Sequence, residues 1–174
     1  MVVFIDNILI YSKTLGDHTH HLRTVLEILR KNELYAKLTK CEFLLGQVVF
    51  LEHVISNEGV SVDPQKIEAI TKCPTPKNLA EGRSFLRLVR YYCRFVQNFL
   101  KIFTPLTNLT RKVTKYEWTE HCEEAFQELK KRLNSTPILA LPTAGKDFVV
   151  YSDASRSGLG CVLMQEDRII AYTL

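Results

Sequence analysis

The order of apolar and polar residues divides the chain into a strand-rich start, a helical middle and a strand-rich end. Two apolar runs, at residues 2–5 and 8–11, flank the polar pair Asp6-Asn7. Because β-branched and aromatic residues favour a pleated surface, and Asp and Asn tolerate positive φ angles, this pattern predicts a β-hairpin with a two-residue turn. A carboxylate at a stiff hairpin tip suits a metal ligand, although the spacing alone favours an ordinary solvated turn.

The next segment alternates between helical and strand patterns. Apolar residues at helical spacing predict a helix from Asp17 to Lys31. His18, His20 and His21 lie in its first turns and indicate a solvated helix start, because no Cys or carboxylate nearby completes a metal-binding set. β-Branched runs, interrupted by Gly46 and by the Asn-Glu-Gly sequence before residue 60, predict strands at 40–43, 48–55 and 60–62.

From Asp63 onward the apolar period becomes helical. Asp63 followed by Pro64 predicts the start of a short helix, which the Cys-Pro-Thr-Pro sequence at 73–76 should end. Asn78 and Glu81 have the spacing of a capping box, in a weaker Asn-led form. The helix that they begin is expected to bury the apolar residues Phe85, Val89, Tyr92 and Val96.

Four arginines follow the other side of this helix at offsets of four, three and four residues: Arg83, Arg87, Arg90 and Arg94, with Tyr91 beside them. We call these five residues the arginine face. Arginines in a line can neutralise successive phosphates, which gives nucleic-acid-binding proteins their salt-dependent affinity. An ordinary solvated helix face has the same pattern, so the spacing leaves both interpretations open.

The last third of the chain predicts one helix and a three-stranded meander. A linker-like stretch at 110–116 adds positive charge, and Thr119 then resembles a helix N-cap, with Trp118 positioned to staple the helix start. The helix is expected to bury Cys122, Ala125, Phe126, Leu129 and Leu133. Strands are predicted at 148–153, 158–165 and 168–173, joined by short turns.

Composition adds little to this picture. The chain has 174 residues, 46% of them hydrophobic, and a formal charge of +4, which favours an anionic partner only weakly. Its five cysteines are odd in number and never form a C-x-x-C spacing, so they indicate reduced, intracellular thiols, in the cytoplasm or the nucleus. No apolar run approaches the roughly 18 residues of a membrane span, so no membrane partner is expected.

Several stretches resemble, in order, the Pol polyprotein of gypsy-type LTR retrotransposons. FIDNILIYS at residues 4–12 is similar to the catalytic hairpin of the reverse transcriptase palm, usually written close to YIDDILIYS. The resemblance continues through YAKLTKCEF, VVFLEHVIS, GVSVDPQKIEAI, LVRYYCRFVQNF, YEWTEHCEEAFQELKKRL, PILALP and FVVYSDAS. It covers essentially the whole chain.

This resemblance implies an α+β fold in three parts. Residues 1–62 would be the C-terminal part of a reverse transcriptase palm, and residues 63–117 the helical thumb and connection. Residues 118–174 would be a connection helix and the opening strands of an RNase H-like domain. The implied parent is an RNA-directed DNA polymerase with ribonuclease H activity, whose partner is an RNA/DNA hybrid or a primer–template.

The resemblance also implies catalytic and metal-binding roles for two carboxylates, with Mg²⁺ as the cofactor. Asp6 matches one polymerase carboxylate and Asp153 matches the first ribonuclease H carboxylate. The second aspartate of the hairpin pair is replaced by Asn7, whose carboxamide is a weaker, uncharged ligand for Mg²⁺. Since the family's other catalytic carboxylates match no residue here, the chain is expected to be inactive alone, unless missing polyprotein domains act as partners.

Further departures lie outside the hairpin. Glu52, Arg87 and Arg90 stand where the family has glycine, and Cys93 stands where it has arginine. Arginines at close-approach glycines would crowd whatever packs against that face. Two alternatives to a polymerase fragment therefore remain: a nucleic-acid-binding module retained from a retroelement, and a product with no selected role.

Overall fold

The chain has a mixed α and β fold in two compact units, Met1–Leu45 and Gly46–Leu174. The structure, a computed structural model, describes residues 1–111, 116–155 and 158–173. Part of the predicted linker at 110–116 therefore lies outside the described residues. Among those described, no helix is long and apolar enough to cross a membrane.

The first unit begins with the predicted hairpin. Strands β1 (Val2–Phe4) and β2 (Asn7–Leu9) are antiparallel, and Phe4 pairs with Asn7. The turn residues are therefore Ile5 and Asp6, so the predicted turn at Asp6-Asn7 is wrong by one residue. The reason is that Asn7 enters the strand ladder, which leaves Ile5 to adopt the positive φ angle of 48° that the tight turn requires.

Helix α1 (Leu15–Lys31) confirms the predicted helix and begins two residues earlier than expected. Its N-cap is Thr14, whose hydroxyl accepts a hydrogen bond from the Asp17 backbone N–H. No residue of this unit is buried, and many of its large apolar side chains are exposed. The unit thus lacks a hydrophobic core of its own.

The strand predicted at 40–43 is wrong. Residues Leu38–Lys40 form a short 3₁₀ helix, in which Lys40 N–H donates to Lys37 O and Cys41 N–H donates to Leu38 O. These local hydrogen bonds occupy the backbone groups that a strand would offer to a neighbour.

The second unit begins with a three-stranded antiparallel sheet of β3 (Gln47–Phe50), β4 (His53–Ser56) and β5 (Val60–Val62). The predicted strand at 60–62 is confirmed. The single strand predicted at 48–55 is instead a hairpin, because Leu51 and Glu52 both have positive φ, at 49° and 60°, and reverse the chain. Positive φ at both turn residues is the pattern of a type I′ turn.

In the described part of the chain, four α-helices follow. They are α2 (Pro64–Lys72), α3 (Leu79–Tyr91), α4 (Phe99–Asn108) and α5 (Glu120–Asn134). The predicted caps are confirmed: Asp63, Asn78 and Thr119 each accept a hydrogen bond from a backbone N–H of the first turn. The capping box at α3 is modified, since Glu81 accepts from the N–H of Lys77 rather than of Asn78.

The hydrophobic core lies where α3, α4 and α5 meet the β3–β5 sheet. All nine residues predicted to be buried in the two main helical segments are buried: Phe85, Val89, Tyr92, Val96, Cys122, Ala125, Phe126, Leu129 and Leu133. Phe126 packs against Phe85 with ring centroids 4.6 Å apart, and this pair joins α3 to α5.

The second antiparallel sheet of this unit consists of β6 (Val149–Ser155), β7 (Gly158–Gln165) and β8 (Arg168–Thr173). The bounds of these strands agree with the three predicted strands to within two residues. The extended residues Leu139 and Ala140 connect this sheet to the first sheet. Leu139 exchanges two backbone hydrogen bonds of 2.8 Å with Val60, and Ala140 N–H donates to Ile169 O at 2.7 Å. Backbone hydrogen bonds of Leu139 and Ala140 thus join the two three-stranded sheets of this unit.

Candidate nucleic-acid interface

The arginine face is solvent-exposed. Arg83, Arg87 and Arg90 lie on α3 at positions i, i+4 and i+7, so they share one side of the helix. The buried positions of α3 lie on a different side, at Gly82, Phe85, Leu86 and Val89. This division is a consequence of the amphipathic sequence, since packing one side into the core directs the arginines outward.

Arg94 does not lie on α3. The α-helix ends at Tyr91, and Arg94 belongs to a short 3₁₀ helix at Cys93–Phe95. Its guanidinium carbon lies 5.1 Å from the centre of the Phe95 ring. Burial lowers the pKa of this guanidinium from its ordinary value, but arginine remains charged at neutral pH. Arg94 can therefore still attract a phosphate.

Two further residues of the face, Tyr91 and Arg83, form hydrogen bonds within the protein. The Tyr91 hydroxyl donates to the Leu51 carbonyl oxygen at 2.8 Å, and the Arg83 Nη2 atom lies 3.4 Å from the Thr110 carbonyl oxygen. The Tyr91 side chain is 47% exposed. Its ring can still face a ligand, whereas its hydroxyl is occupied in joining α3 to the β3–β4 turn.

His53 lies beneath this end of the face, among three aromatic rings. Its ring centroid is 5.3 Å from that of Tyr91, 5.8 Å from that of Tyr92 and 5.7 Å from that of Phe95. His53 Nδ1 is 2.6 Å from Leu51 O, and Nε2 is buried without a hydrogen-bond partner among the described residues. Burial, reinforced by the charge of Arg94, lowers the pKa of His53.

This lowered pKa predicts a pH-dependent stability. The unfolded imidazole has a pKa of about 6.5, so below that value the unfolded chain binds a proton that the folded chain resists. Stability should be complete above the unfolded pKa, fall as the pH drops toward the folded pKa, and stay constant below it. Urea unfolding between about pH 8 and pH 5 should show this loss, and His53→Phe should reduce it. An unchanged pH profile in His53→Phe would contradict the assignment.

The two predicted catalytic carboxylates belong to different compact units. Asp6 is exposed in the turn of the first unit, next to Asn7 at the start of β2. Asp153 is exposed on β6 of the second unit, opposite Gly160 of β7. Each is therefore the single predicted carboxylate of its own unit.

The donors present do not make up a Mg²⁺ site. Among the described residues, no three His, Cys, Asp or Glu side chains are grouped so that they could hold a metal ion. A carboxylate beside a carboxamide, as at Asp6-Asn7, supplies less charge than the paired carboxylates expected of a two-metal centre.

Sequence reasoning missed the contribution of the β3–β4 turn. Leu51, Glu52 and His53 all contact the end of α3 or the 3₁₀ helix that follows it. The available signal was the charged residue at position 52, in a turn where positive φ favours glycine. The contacts themselves join residues about 40 positions apart and leave no trace in local spacing.

Comparison with known proteins defines the class of this chain. The sequence profile of the RNase H-like domain found in reverse transcriptase matches residues 118–173. The Pol polyprotein from the Drosophila melanogaster transposon opus is 38% identical over 98% of this chain, and that from the transposon gypsy is 35% identical over 97%. These alignments cover 18% and 17% of the two polyproteins, so the chain spans less than a fifth of their length.

A shorter relative and two solved structures are also similar to this chain. An uncharacterized mitochondrial protein of Arabidopsis thaliana is 46% identical over 75% of this chain and 83% of its own length. Foamy viral protease–reverse transcriptase structures are 26% identical and cover 94% of this chain. The one in complex with double-stranded DNA has a TM-score of 0.85 over 30% of its chain, and the one with RNA/DNA hybrid 0.82 over 23%.

The fold resembles the reverse transcriptase and RNase H region of the foamy viral structures. Residues 118–173 are an RNase H-like domain of the kind found in reverse transcriptase, and the chain as a whole is similar to retrotransposon Pol polyproteins.

Proposed function

We propose that the chain is the nucleic-acid-binding segment of a gypsy-type reverse transcriptase. In this proposal residues 1–62 are the C-terminal part of the palm, 63–117 the thumb and connection, and 118–174 the connection helix and the start of the RNase H-like domain. The ordered series of sequence matches supports it, together with the similarity to the foamy viral structures. The ligand is an RNA/DNA hybrid or another primer–template duplex.

The exposed arginine face is the observation that carries the binding proposal. One side of α3 lies in the core, and this anchors the helix, while three arginines on its exposed side are spaced along about two helical turns. Such a row of cations can follow the phosphates of one strand, and each phosphate neutralised releases counterions. Arg94 adds a fourth charge just beyond the helix.

Catalysis in this proposal belongs to the longer polyprotein. Asp6 and Asp153 would each be one ligand of a Mg²⁺ centre whose other carboxylates come from other segments. Asn7 would weaken the polymerase centre even then, because a carboxamide supplies no negative charge to balance the metal. The segment alone is therefore proposed to bind nucleic acid without extending a primer or cutting RNA.

The binding proposal predicts a specific effect of Arg83→Ala combined with Arg94→Ala. If each arginine contacts one phosphate, the slope of log K against log salt should fall by about two units, and affinity for an RNA/DNA hybrid at 0.1 M salt should fall about 60-fold. The loss should be the same for unrelated hybrid sequences, because phosphate contacts do not read bases. Fluorescence anisotropy with a labelled hybrid, repeated at several salt concentrations, measures both quantities.

A matched control removes two cations that lie outside the face. Lys72 and Arg132 are each in an ion pair within their own helix, with Glu68 and Glu128. The double variant Lys72→Ala and Arg132→Ala lowers the net charge by the same amount and should leave the salt slope nearly unchanged. Equal effects of the two double variants, or no effect of either, would instead show that the arginine face is an ordinary solvated surface.

A further inference from the structure

Three consecutive residues contact the end of α3 and the 3₁₀ helix that follows it: the turn residues Leu51 and Glu52, and His53, the first residue of β4. The Leu51 carbonyl accepts a hydrogen bond from the Tyr91 hydroxyl, and the Glu52 Oε2 atom accepts one from the Tyr92 hydroxyl at 3.4 Å. The ring of His53 stacks on Phe95. The turn thus contacts both the last turn of the α-helix and the 3₁₀ helix that carries Arg94.

Glu52 occupies its position at a conformational cost. Its φ angle of 60° lies in the left-handed region, which residues other than glycine seldom adopt. Its carboxylate has contacts that offset this cost: Oε1 lies 2.5 Å from the Lys66 Nζ atom on α2, and Oε2 accepts from Tyr92 on the other side. The hydrogen bond from Lys66 is the main cause of the lowered pKa of Glu52.

A chain of aromatic contacts connects Arg94 to this turn. The other three arginines are placed by the regular geometry of α3, but Arg94 follows the point at which the α-helix ends. Its guanidinium lies over Phe95, and Phe95 is stacked on His53, the residue next to Glu52. A shift of the turn would therefore move Arg94 relative to Arg83, Arg87 and Arg90.

We propose that Glu52 is a positioning residue for nucleic-acid binding: its carboxylate holds the β3–β4 turn against α2 and Tyr92, and so keeps Arg94 in its place just beyond the end of α3. This inference rests on the proposed function, because it concerns the same arginine face. By its charge alone, the Glu52 carboxylate would repel phosphates. In its positioning role it instead increases the affinity for nucleic acid.

The variant Glu52→Gly distinguishes a loss of positioning from a loss of folding and from a change of charge, because each has a different expected effect on hybrid binding or stability. Glycine adopts the φ angle of this turn without strain, so the fold should be retained or become more stable. Removal of a negative charge beside the arginine face should, by electrostatics alone, tighten hybrid binding. Loss of the Arg94 contact should instead weaken binding about eightfold at 0.1 M salt and reduce the salt slope by about one unit.

The positioning role also predicts non-additivity. If Glu52 acts through Arg94, then Glu52→Gly should add almost nothing to the effect of Arg94→Ala in the double variant. Glu68→Gln is the matched control, since Glu68 also pairs with a lysine, Lys72, but within α2. Glu68→Gln should leave the slope unchanged. Glu52→Gln keeps one acceptor oxygen, which can accept from Lys66 or from Tyr92 but not from both, so its affinity should lie between those of the wild-type chain and Glu52→Gly.

Unchanged or tighter hybrid binding by Glu52→Gly, or full additivity with Arg94→Ala, would overturn the positioning role. A hybrid bound equally well by the wild-type chain and the Arg83, Arg94 double variant would instead overturn the proposed function. In that case, NMR of the protein without nucleic acid can still test whether Glu52 holds the β3–β4 turn in place. The Nε–H resonance of Arg94, shifted by the Phe95 ring, should move toward its random-coil position in Glu52→Gly if Glu52 holds the turn, and should stay in place if it does not.

Discussion

Gly59→Ala should lower the free energy of unfolding of the Gly46–Leu174 unit by about 3–5 kcal/mol, a loss comparable to the total stability of many small domains. A Cβ atom on Gly59 would lie well inside van der Waals contact of the Leu139 carbonyl oxygen. That oxygen accepts the 2.8 Å hydrogen bond from Val60, so it cannot withdraw without breaking the link between the two sheets. The φ angle of 145° is also one that alanine rarely adopts.

Urea unfolding followed by tryptophan fluorescence measures this loss. Trp118 is the single tryptophan and packs on Phe126 in the core of the unit, so its emission reports that unit. Gly46→Ala is the matched control, because a Cβ there would meet no atom within 4 Å and the residue does not need a positive φ. A Gly59→Ala chain as stable as the Gly46→Ala chain would show that the Val60–Leu139 link is not a support of the fold.

Local chemistry explains which parts of the fold could be predicted from sequence. Helix caps such as Asp63 and Thr119 act within one turn, so spacing alone identifies them. The buried residues of α3 and α5 follow from the helical period. Helix α4 could not be predicted in the same way, because Pro105 inside it removes a backbone donor and argues against a helix. Tertiary packing of Phe99, Phe103 and Leu106 compensates.

Turns were less predictable than helices, because strand pairing and not the local sequence decides where they lie. The residues with positive φ at the β1–β2 and β3–β4 turns include Ile5, Leu51 and Glu52, none of them the usual choice for such a conformation. Strand pairing decides where these turns fall. A prediction based on turn-forming residues therefore shifts the first turn by one residue and overlooks the second.

In the candidate site, too, local spacing predicts some features and tertiary contacts decide the others. The spacing of Arg83, Arg87 and Arg90 correctly predicted a shared exposed side of one helix. The same spacing predicted that Arg94 lies on that helix, but the helix ends at Tyr91. Where Arg94 lies depends on stacking between Phe95 and His53, and such a tertiary contact cannot be read from the period of one element.

Phe126→Ala should lower the stability of the same unit by about 3–5 kcal/mol, since truncating a buried aromatic ring removes its contacts and leaves a cavity. Phe126 is 1% exposed. Its ring packs against Phe85 of α3 and edge-on against Trp118, and the Lys130 ammonium lies 4.7 Å from its centre. Phe148→Ala is the control, because Phe148 is 52% exposed and its truncation should cost far less.

The consequence of Phe126→Ala extends beyond stability. Phe126 lies within residues 118–173, the part that matches the RNase H-like domain, whereas Phe85 lies outside that part, on the helix that carries the arginine face. If the two parts share one core, far-UV circular dichroism and Trp118 fluorescence should shift to lower urea together, and hybrid binding should weaken as α3 loses its support. A fluorescence midpoint that falls while hybrid binding stays at the wild-type level would show that α3 is held independently of α5, and that the arginine face needs only its own segment to stay in place.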